Sequence, residues 1–142
     1  MPKLLFKKLD TLEAMLPNYR LVQQLSAHLS EADYEAMLKE MIPHNYFQVA
    51  AYVDGECVAV SGYWLATKFY CGKYLEIDNF VVDEKHRNAE IGQKLLQWIE
   101  EEAFQQNCKL LMLDASVENF PAHRFYHRHG FHARGFHYLK KV

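Results

Sequence analysis

The sequence is poor in cysteine, lacks long apolar runs and carries no excess of positive charge, and each shortage closes a class. Its three cysteines, Cys57, Cys71 and Cys108, are odd in number and widely spaced with no C-x-x-C pair, so neither a disulfide framework nor a zinc ribbon is indicated. They are expected to be buried thiols. No run of roughly eighteen apolar residues exists, which removes a membrane-spanning helix. The opening MPKLLFKKLD has no apolar core with a cleavage site, so a cytoplasmic protein is expected. Gly-Lys-Ser/Thr is missing, and with it a P-loop that would hold ATP and Mg²⁺. Net charge is −2, which argues against a nucleic-acid-binding surface over the whole chain. Repeats, linkers and low-complexity segments are lacking as well.

What the chain does have is apolar residue and uneven charge. Half of it, 50%, is apolar or aromatic, enough for one core in 142 residues, so a single domain over 1–142 is expected. Residues 121–142 hold Arg124, Arg128, Arg134, Lys140 and Lys141 and no acid, so this end carries +5 and leaves −7 for the remainder. A basic end suits a polyanionic cofactor and an acidic remainder suits a cationic substrate. A solvated charged tail accounts for the same distribution without any ligand.

Hydrophobic period sets the element order. Leu4-Leu5-Phe6 reads as a short first strand. Leu12, Met15, Leu16, Leu21, Val22, Leu25 and Leu29 keep a helical period that Pro17 divides into a turn and a longer helix. Ser30-Glu31-Ala32-Asp33 opens a second helix, with Tyr34, Met37, Leu38 and Met41 on one side until Pro43. Tyr46 to Val53 and Cys57 to Ala66 read as a hairpin around Asp54-Gly55, and Tyr74 to Val82 as a third meander strand. Ile91 to Gln106 is an amphipathic helix with Ile91, Leu95, Trp98, Ile99 and Ala103 inward and Glu100, Glu101 and Glu102 on the wet side. Lys109 to Leu113 reads as a buried parallel strand, a helix follows from near Asn119 to Gly130, and Phe131 to Val142 is expected to add one or two strands.

Chemistry concentrates between Tyr74 and Phe131. The turn Lys85 to Gln93 leads from a strand straight into a helix N-terminus, where free backbone N–H groups and the positive dipole end can cradle a phosphate. About thirty residues on lies Asn119-Phe120-Pro121-Ala122-His123-Arg124-Phe125-Tyr126-His127-Arg128-His129-Gly130-Phe131, a helix capped by Asn119 and closed by Gly130. The two pieces in this order resemble the acetyl-CoA-binding half of the GNAT (Gcn5-related N-acetyltransferase) superfamily. Its pyrophosphate loop, Arg/Gln-x-x-Gly-x-Gly/Ala, is matched by Arg87, Ile91 and Gly92, with Glu90 where the first Gly is expected. Its later helix is matched more fully, by Asn119, Ala122, Phe125, Tyr126, Gly130 and Phe131.

The resemblance implies an α+β fold with a central, mostly antiparallel twisted sheet flanked by helices and splayed between its fourth and fifth strands. It implies acetyl-CoA as co-substrate and direct transfer in a ternary complex to a primary amine, the cationic acceptor being either a small molecule or a protein amine. Main chain from Asn88, Ala89, Glu90, Ile91, Gly92 and Gln93 would hold the pyrophosphate, with Arg87 adding charge. Phe80, Val81 and Val82 would pair with the pantetheine arm, and one of their N–H groups would serve as oxyanion donor. Asn119, Ala122 and Phe125 would contact the cofactor, and Tyr126 would protonate the departing thiolate as general acid. Glu76 and Asp78, two residues apart on one strand, share a face and suit the base; the family often carries an acid at the place of Asp78. A bulge would change which side each faces, and both can instead serve only to attract a cation. No cysteine in the motif region is an obvious acyl carrier, Cys71 at the strand start aside.

Other classes compete. His123 and His127 are spaced i,i+4, yet no acidic or thiol partner has ligand spacing with them, so no metal is expected. Glu90 beside a diphosphate is repulsive unless its side chain turns away, which leaves a non-catalytic CoA-binding or partner-binding module as the alternative. Exposed edge strands and the family habit both allow a homodimer.

Overall fold

The structure, a computed structural model, describes residues 3–87 and 89–142, with only the backbone of Ala89. The chain divides into two compact units, Met1–Met112 and Leu113–Val142.

In the first unit, strand β1 (Leu5–Leu9) is followed by α1 (Leu12–Met15), a 3₁₀ turn over Leu16–Asn18, α2 (Tyr19–Leu25) and α3 (Glu31–Met41). Local chemistry sets these boundaries. Thr11 caps α1 by accepting the Ala14 N–H at 3.2 Å, and Ser30 caps α3 by accepting the Asp33 N–H at 3.0 Å. Pro17 lies in the 3₁₀ turn, where its missing N–H costs little. Strands β2 (Tyr46–Val53), β3 (Glu56–Lys68) and β4 (Gly72–Val82) form the meander, with Asp54 and Gly55 both at positive φ in the first hairpin turn. A 3₁₀ turn over Glu84–His86 leads to α4 (Ala89–Gln105) and β5 (Leu110–Leu113). The sheet order is β1-β2-β3-β4-β5, the first four strands antiparallel and the whole sheet mixed, as expected. β5 starts where the Lys109 N–H meets the Lys73 carbonyl at 2.7 Å, and with four residues it runs along only the first half of the eleven-residue β4.

Register decides the faces. Tyr46, Trp64 and Glu76 form one row across β2, β3 and β4, and Gln48, Gly62 and Asp78 form the next. Both rows look toward the core formed by Met15, Leu21, Val22, Tyr34, Leu38, Tyr46, Val60 and Val81. Beyond them β4 carries an extra residue. Two steps on β3, Val60 to Gly62, oppose three on β4, Asp78 to Val81, and Asn79 takes the left-handed conformation with φ 58. Glu76 and Asp78 thus share a face as expected, and the bulge falls just after them.

A buried polar cluster joins this face to the helices. Gln48, 0% exposed, accepts from Asn18 Nδ2 at 2.9 Å and donates to Tyr34 Oη at 3.1 Å and Tyr46 Oη at 3.2 Å; Tyr34 donates in turn to the Met15 carbonyl at 2.8 Å. Each member is satisfied, which is the condition for such a cluster to rigidify a core rather than weaken it. The opposite face packs on Leu95, Leu96, Ile99 and Ala103 of α4, with Tyr63 and Trp98 in ring contact at 6.3 Å.

Four expectations need correction. Strand β5, expected to be buried, has Leu110 exposed and its other three residues only half-buried. Glu102 is not on the wet side: its side chain is 10% exposed and holds Lys8 Nζ and Tyr63 Oη, each at 2.7 Å. It follows Ile99 by three residues, so it borders the inner stripe, and two donors offset its desolvation. The cysteines are half-buried rather than buried. In the second unit, α5 (Phe120–Arg128) is the last regular element among the described residues, and Phe131–Val142 forms no strand. Phe136 and Tyr138 keep a strand-like alternation, but they and Leu139 are 84%, 88% and 85% exposed. A pattern without a hydrogen-bonded neighbour does not make a strand. No described helix is long and apolar enough to cross a membrane.

Gly62 is the most tightly enclosed of the described glycines, since a Cβ there would overlap Tyr46 Oη, itself buried and held by Gln48. Gly62→Ala is expected to destabilise the protein by about 1–3 kcal/mol, read as a lower urea midpoint with an unchanged slope.

Candidate active site

The site candidates of the first unit lie on one continuous stretch, β4 from Glu76 onward, the turn after it and the first turn of α4. The turn is anchored by Asp83, which is fully buried. Its Oδ1 accepts the Lys85 N–H and Gln24 Nε2, both at 3.3 Å, and its Oδ2 accepts Arg20 Nη1 at 3.0 Å. Burial alone would raise this carboxyl; the Lys85 N–H, Gln24 and the Arg20 guanidinium outweigh it and hold the group below the usual carboxylate range. Gln24 Oε1 also accepts the Glu84 N–H at 3.2 Å, so α2 grips the turn at two points.

Past this anchor the chain enters α4. Arg87 is exposed and extended, with its Nε donating to the Val82 carbonyl at 3.2 Å. Asn88 lies outside the described residues. Ala89, Glu90, Ile91, Gly92 and Gln93 open a seventeen-residue helix, so its amide end and positive dipole stand at the end of the turn. Glu90, the departure from the family pattern, is paired with Lys94 at 3.0 Å, both side chains 44% exposed. The nearby cation offsets the carboxylate that would otherwise oppose a diphosphate. Of the strand residues, Val81 turns its side chain into the helix-side core, while Phe80 and Val82 are half-buried.

Asp78 and Glu76 lie just before the bulge, both half-buried. Asp78 Oδ2 accepts the indole N–H of Trp64 at 3.1 Å.

The second unit builds its own constellation. Asn119 caps α5 by accepting the Ala122 N–H at 3.2 Å, which accounts for the Asn119 and Ala122 pair. At the far end Gly130, with φ 90, donates to the His127 carbonyl at 3.2 Å and Phe131 donates to the Tyr126 carbonyl at 3.0 Å. This is a Schellman closure, and it carries the usual apolar contact: the Tyr126 and Phe131 rings stand 5.5 Å apart. Phe125 packs against Tyr126 at 5.2 Å and His129 at 4.6 Å. Burial pushes the Tyr126 phenol up to about 12, so it is protonated at neutral pH and equipped to donate. His123 is turned to the Ser116 carbonyl at 2.8 Å.

Two residues escaped the sequence analysis. Asp83 had a signal, an Asp opening a polar turn, which is a capping position. Trp64 lies within the strand Cys57 to Ala66 and had a signal too, since an indole N–H drawn into a fold needs an acceptor. One group of three metal-type donors occurs among the described residues, Glu56, Asp83 and His86, within 4.8 Å of one another. There Asp83 is already committed to Arg20 and Gln24.

The lowered Asp83 carboxyl makes its contribution to stability fully present above pH about 4 and lost as pH falls through its folded value. Asp83→Asn is therefore expected to melt lower at pH 7 and to lose less on acidification, so melting curves from pH 7 to 3 should converge.

The chain matches the acetyltransferase (GNAT) family over residues 11–131. It is 30% identical over 118 residues to the aminoalkylphosphonate N-acetyltransferase of Salmonella typhimurium, covering 80% of this chain and 77% of that protein. It is 31% identical over 68 residues, 46% of each protein, to the glucosamine 6-phosphate N-acetyltransferase of Arabidopsis thaliana. Among solved structures, a GNAT family acetyltransferase of Staphylococcus aureus shares the fold at a TM-score of 0.79 with 20% identity over 100% of both chains. An aminoglycoside N-acetyltransferase in complex with CoA does so at 0.80 with 17% identity, covering 100% of this chain and 97% of that one. With a family match that takes in the bulged β4, the turn into α4 and the whole of α5, this chain belongs to the acetyltransferase (GNAT) family and is an N-acetyltransferase.

Proposed function

We propose that the protein is a cytoplasmic enzyme, working as one domain over 1–142, that moves the acetyl group of acetyl-CoA directly to the primary amine of a small molecule. The observation that carries this is the turn clamped by Asp83, which ends on the amide face of α4 with Glu90 balanced by Lys94. Acetyl-CoA would supply the acetyl group and a thiol leaving group. Main chain from Ala89 to Gln93 binds its pyrophosphate, with Arg87 beside it, and the bulged backbone at Phe80, Val81 and Val82 aligns the pantetheine arm. Asn119, Ala122 and Phe125 complete the cofactor contacts. Asp78, with Glu76 next to it, holds the acceptor ammonium and takes its proton. Tyr126 gives its phenolic proton to the departing sulfur.

Both curated relatives are named for amines that carry a phosphonate or phosphate on a small molecule, which supports an acceptor of that size. The carboxylates at Asp78 and Glu76 supply the charge that an ammonium group requires.

Acetyl-CoA at about 100 times its dissociation constant is expected to add roughly 2.7 kcal/mol, a rise of several degrees in melting temperature. No shift in a cooperatively unfolding protein would sink the cofactor assignment. Tyr126→Phe should lower kcat by about 10²-fold or more while leaving the acetyl-CoA-induced melting shift intact. Unchanged turnover would remove Tyr126 as the acid.

A further inference from the structure

The acceptor side of this proposal contains a residue with no role so far. Trp64 stands in the same cross-strand row as Tyr46 and Glu76, one row from Asp78. Its indole N–H donates to Asp78 Oδ2 at 3.1 Å, and its ring packs on Tyr46 at 4.9 Å. Tyr46 is 2% exposed and accepts from Gln48, which is tied to Asn18 and Tyr34. The indole is thus seated on a buried, hydrogen-bonded cluster that also fixes α1 to α3. Gly62, opposite Asp78, has no side chain, and the Tyr46 phenol occupies the space a Cβ would need. Asp78 is half-buried, and its other oxygen, Oδ1, accepts no hydrogen bond among the described residues.

We propose that Trp64 is a positioning residue for acetyl transfer: its N–H holds one oxygen of Asp78 so that the other is presented to the acceptor ammonium. This rests on Asp78 as the group that receives the amine. One N–H bond of the ammonium breaks as its proton passes to Oδ1, which leaves the nitrogen lone pair for attack and Asp78 as the neutral acid. A carboxylate with both oxygens unheld would swing about its χ2, and the proton acceptor would be out of line for part of the time. The indole fixes that torsion without touching the substrate. Tyr46 and Gln48 act one step further back by fixing the indole.

The test is a double-mutant cycle on the full chain with Trp64→Phe, Asp78→Asn and the pair. Phenylalanine keeps an aromatic ring on Tyr46 and removes only the donor. The acceptors are 2-aminoethylphosphonate, glucosamine 6-phosphate and spermidine, with acetyl-CoA as donor. Trp64→Phe is expected to lower kcat/KM for the amine about tenfold, leave the KM for acetyl-CoA unchanged, and have no further effect in the Asp78→Asn background. In a ¹H–¹⁵N spectrum, one of the two tryptophan indole signals should move on Asp78→Asn, and that signal should be the one missing in Trp64→Phe. Full activity of Trp64→Phe, additive losses in the cycle, or a Trp64 indole signal indifferent to Asp78→Asn would each overturn the positioning role. Wild-type turnover retained by Asp78→Asn would instead remove Asp78 as base, and with it the premise. Lack of wild-type turnover on all three amines, with the indole shift present, would fault the assigned substrate class and overturn the proposed use of the Asp78–Trp64 pair.

Discussion

A buried carboxylate holds the turn between β4 and α4 together. Asp83 ends β4 and starts the 3₁₀ turn, and its charge is tolerated because three donors converge on it, one from its own turn and two from α2. Buried charge is costly unless it is paired and hydrogen-bonded, so these contacts leave the turn little freedom to swing away from α2. The direction in which α4 sets off, and therefore where its amide end points, follows from that constraint. A phosphate site of backbone amides needs such an anchor more than one of lysines does, because its donors cannot reach out individually.

The second constraint is the extra residue in β4. Without the left-handed turn at Asn79, the alternation of β4 would continue unbroken and Val81 would stay on the face of Asn79 and Ile77. The bulge shifts the phase by one, so that Val81 joins the helix-side core that Asp78 and Glu76 also face. It thereby sets two carboxylates and a re-aimed stretch of backbone side by side, on a strand whose far neighbour β5 extends along only its first half. Asn is among the few non-glycine residues that accept this conformation readily.

How much could be seen in the sequence depended on how local each feature is. The α5 motif was fully legible because Asn119, Ala122, Tyr126, Gly130 and Phe131 satisfy one another within thirteen residues, through a cap at one end and a Schellman closure at the other. The first four strands and α1 to α4 were legible from their period and punctuation. Glu102 was misplaced because what makes it an inner residue, Lys8 on β1 and Tyr63 on β3, is distant in sequence. The final strands were misjudged for a related reason: alternation over Phe136 and Tyr138 is a necessary condition for a strand, whereas pairing is a property of the neighbour. Asp83 and Trp64 were passed over because each acts through a partner on another element, Arg20 and Asp78, and neither spacing nor composition encodes that pairing.

The proposed chemistry asks opposite things of two groups, and the environments differ accordingly. A general acid for a thiolate must keep its proton at neutral pH, and Tyr126 does so because burial among Phe125 and Phe131 penalises the phenolate. A group that takes a proton from an ammonium must stay reachable, and Asp78 is half-buried with one oxygen held and the other without a hydrogen bond among the described residues. In that proposal the acid sits in a local helix closure and the base in a cross-strand row. On that proposal, a substitution that loosens the Gly130–Phe131 closure would bear on Tyr126 and its neighbour Phe125, while one that disturbs Trp64 would bear on Asp78.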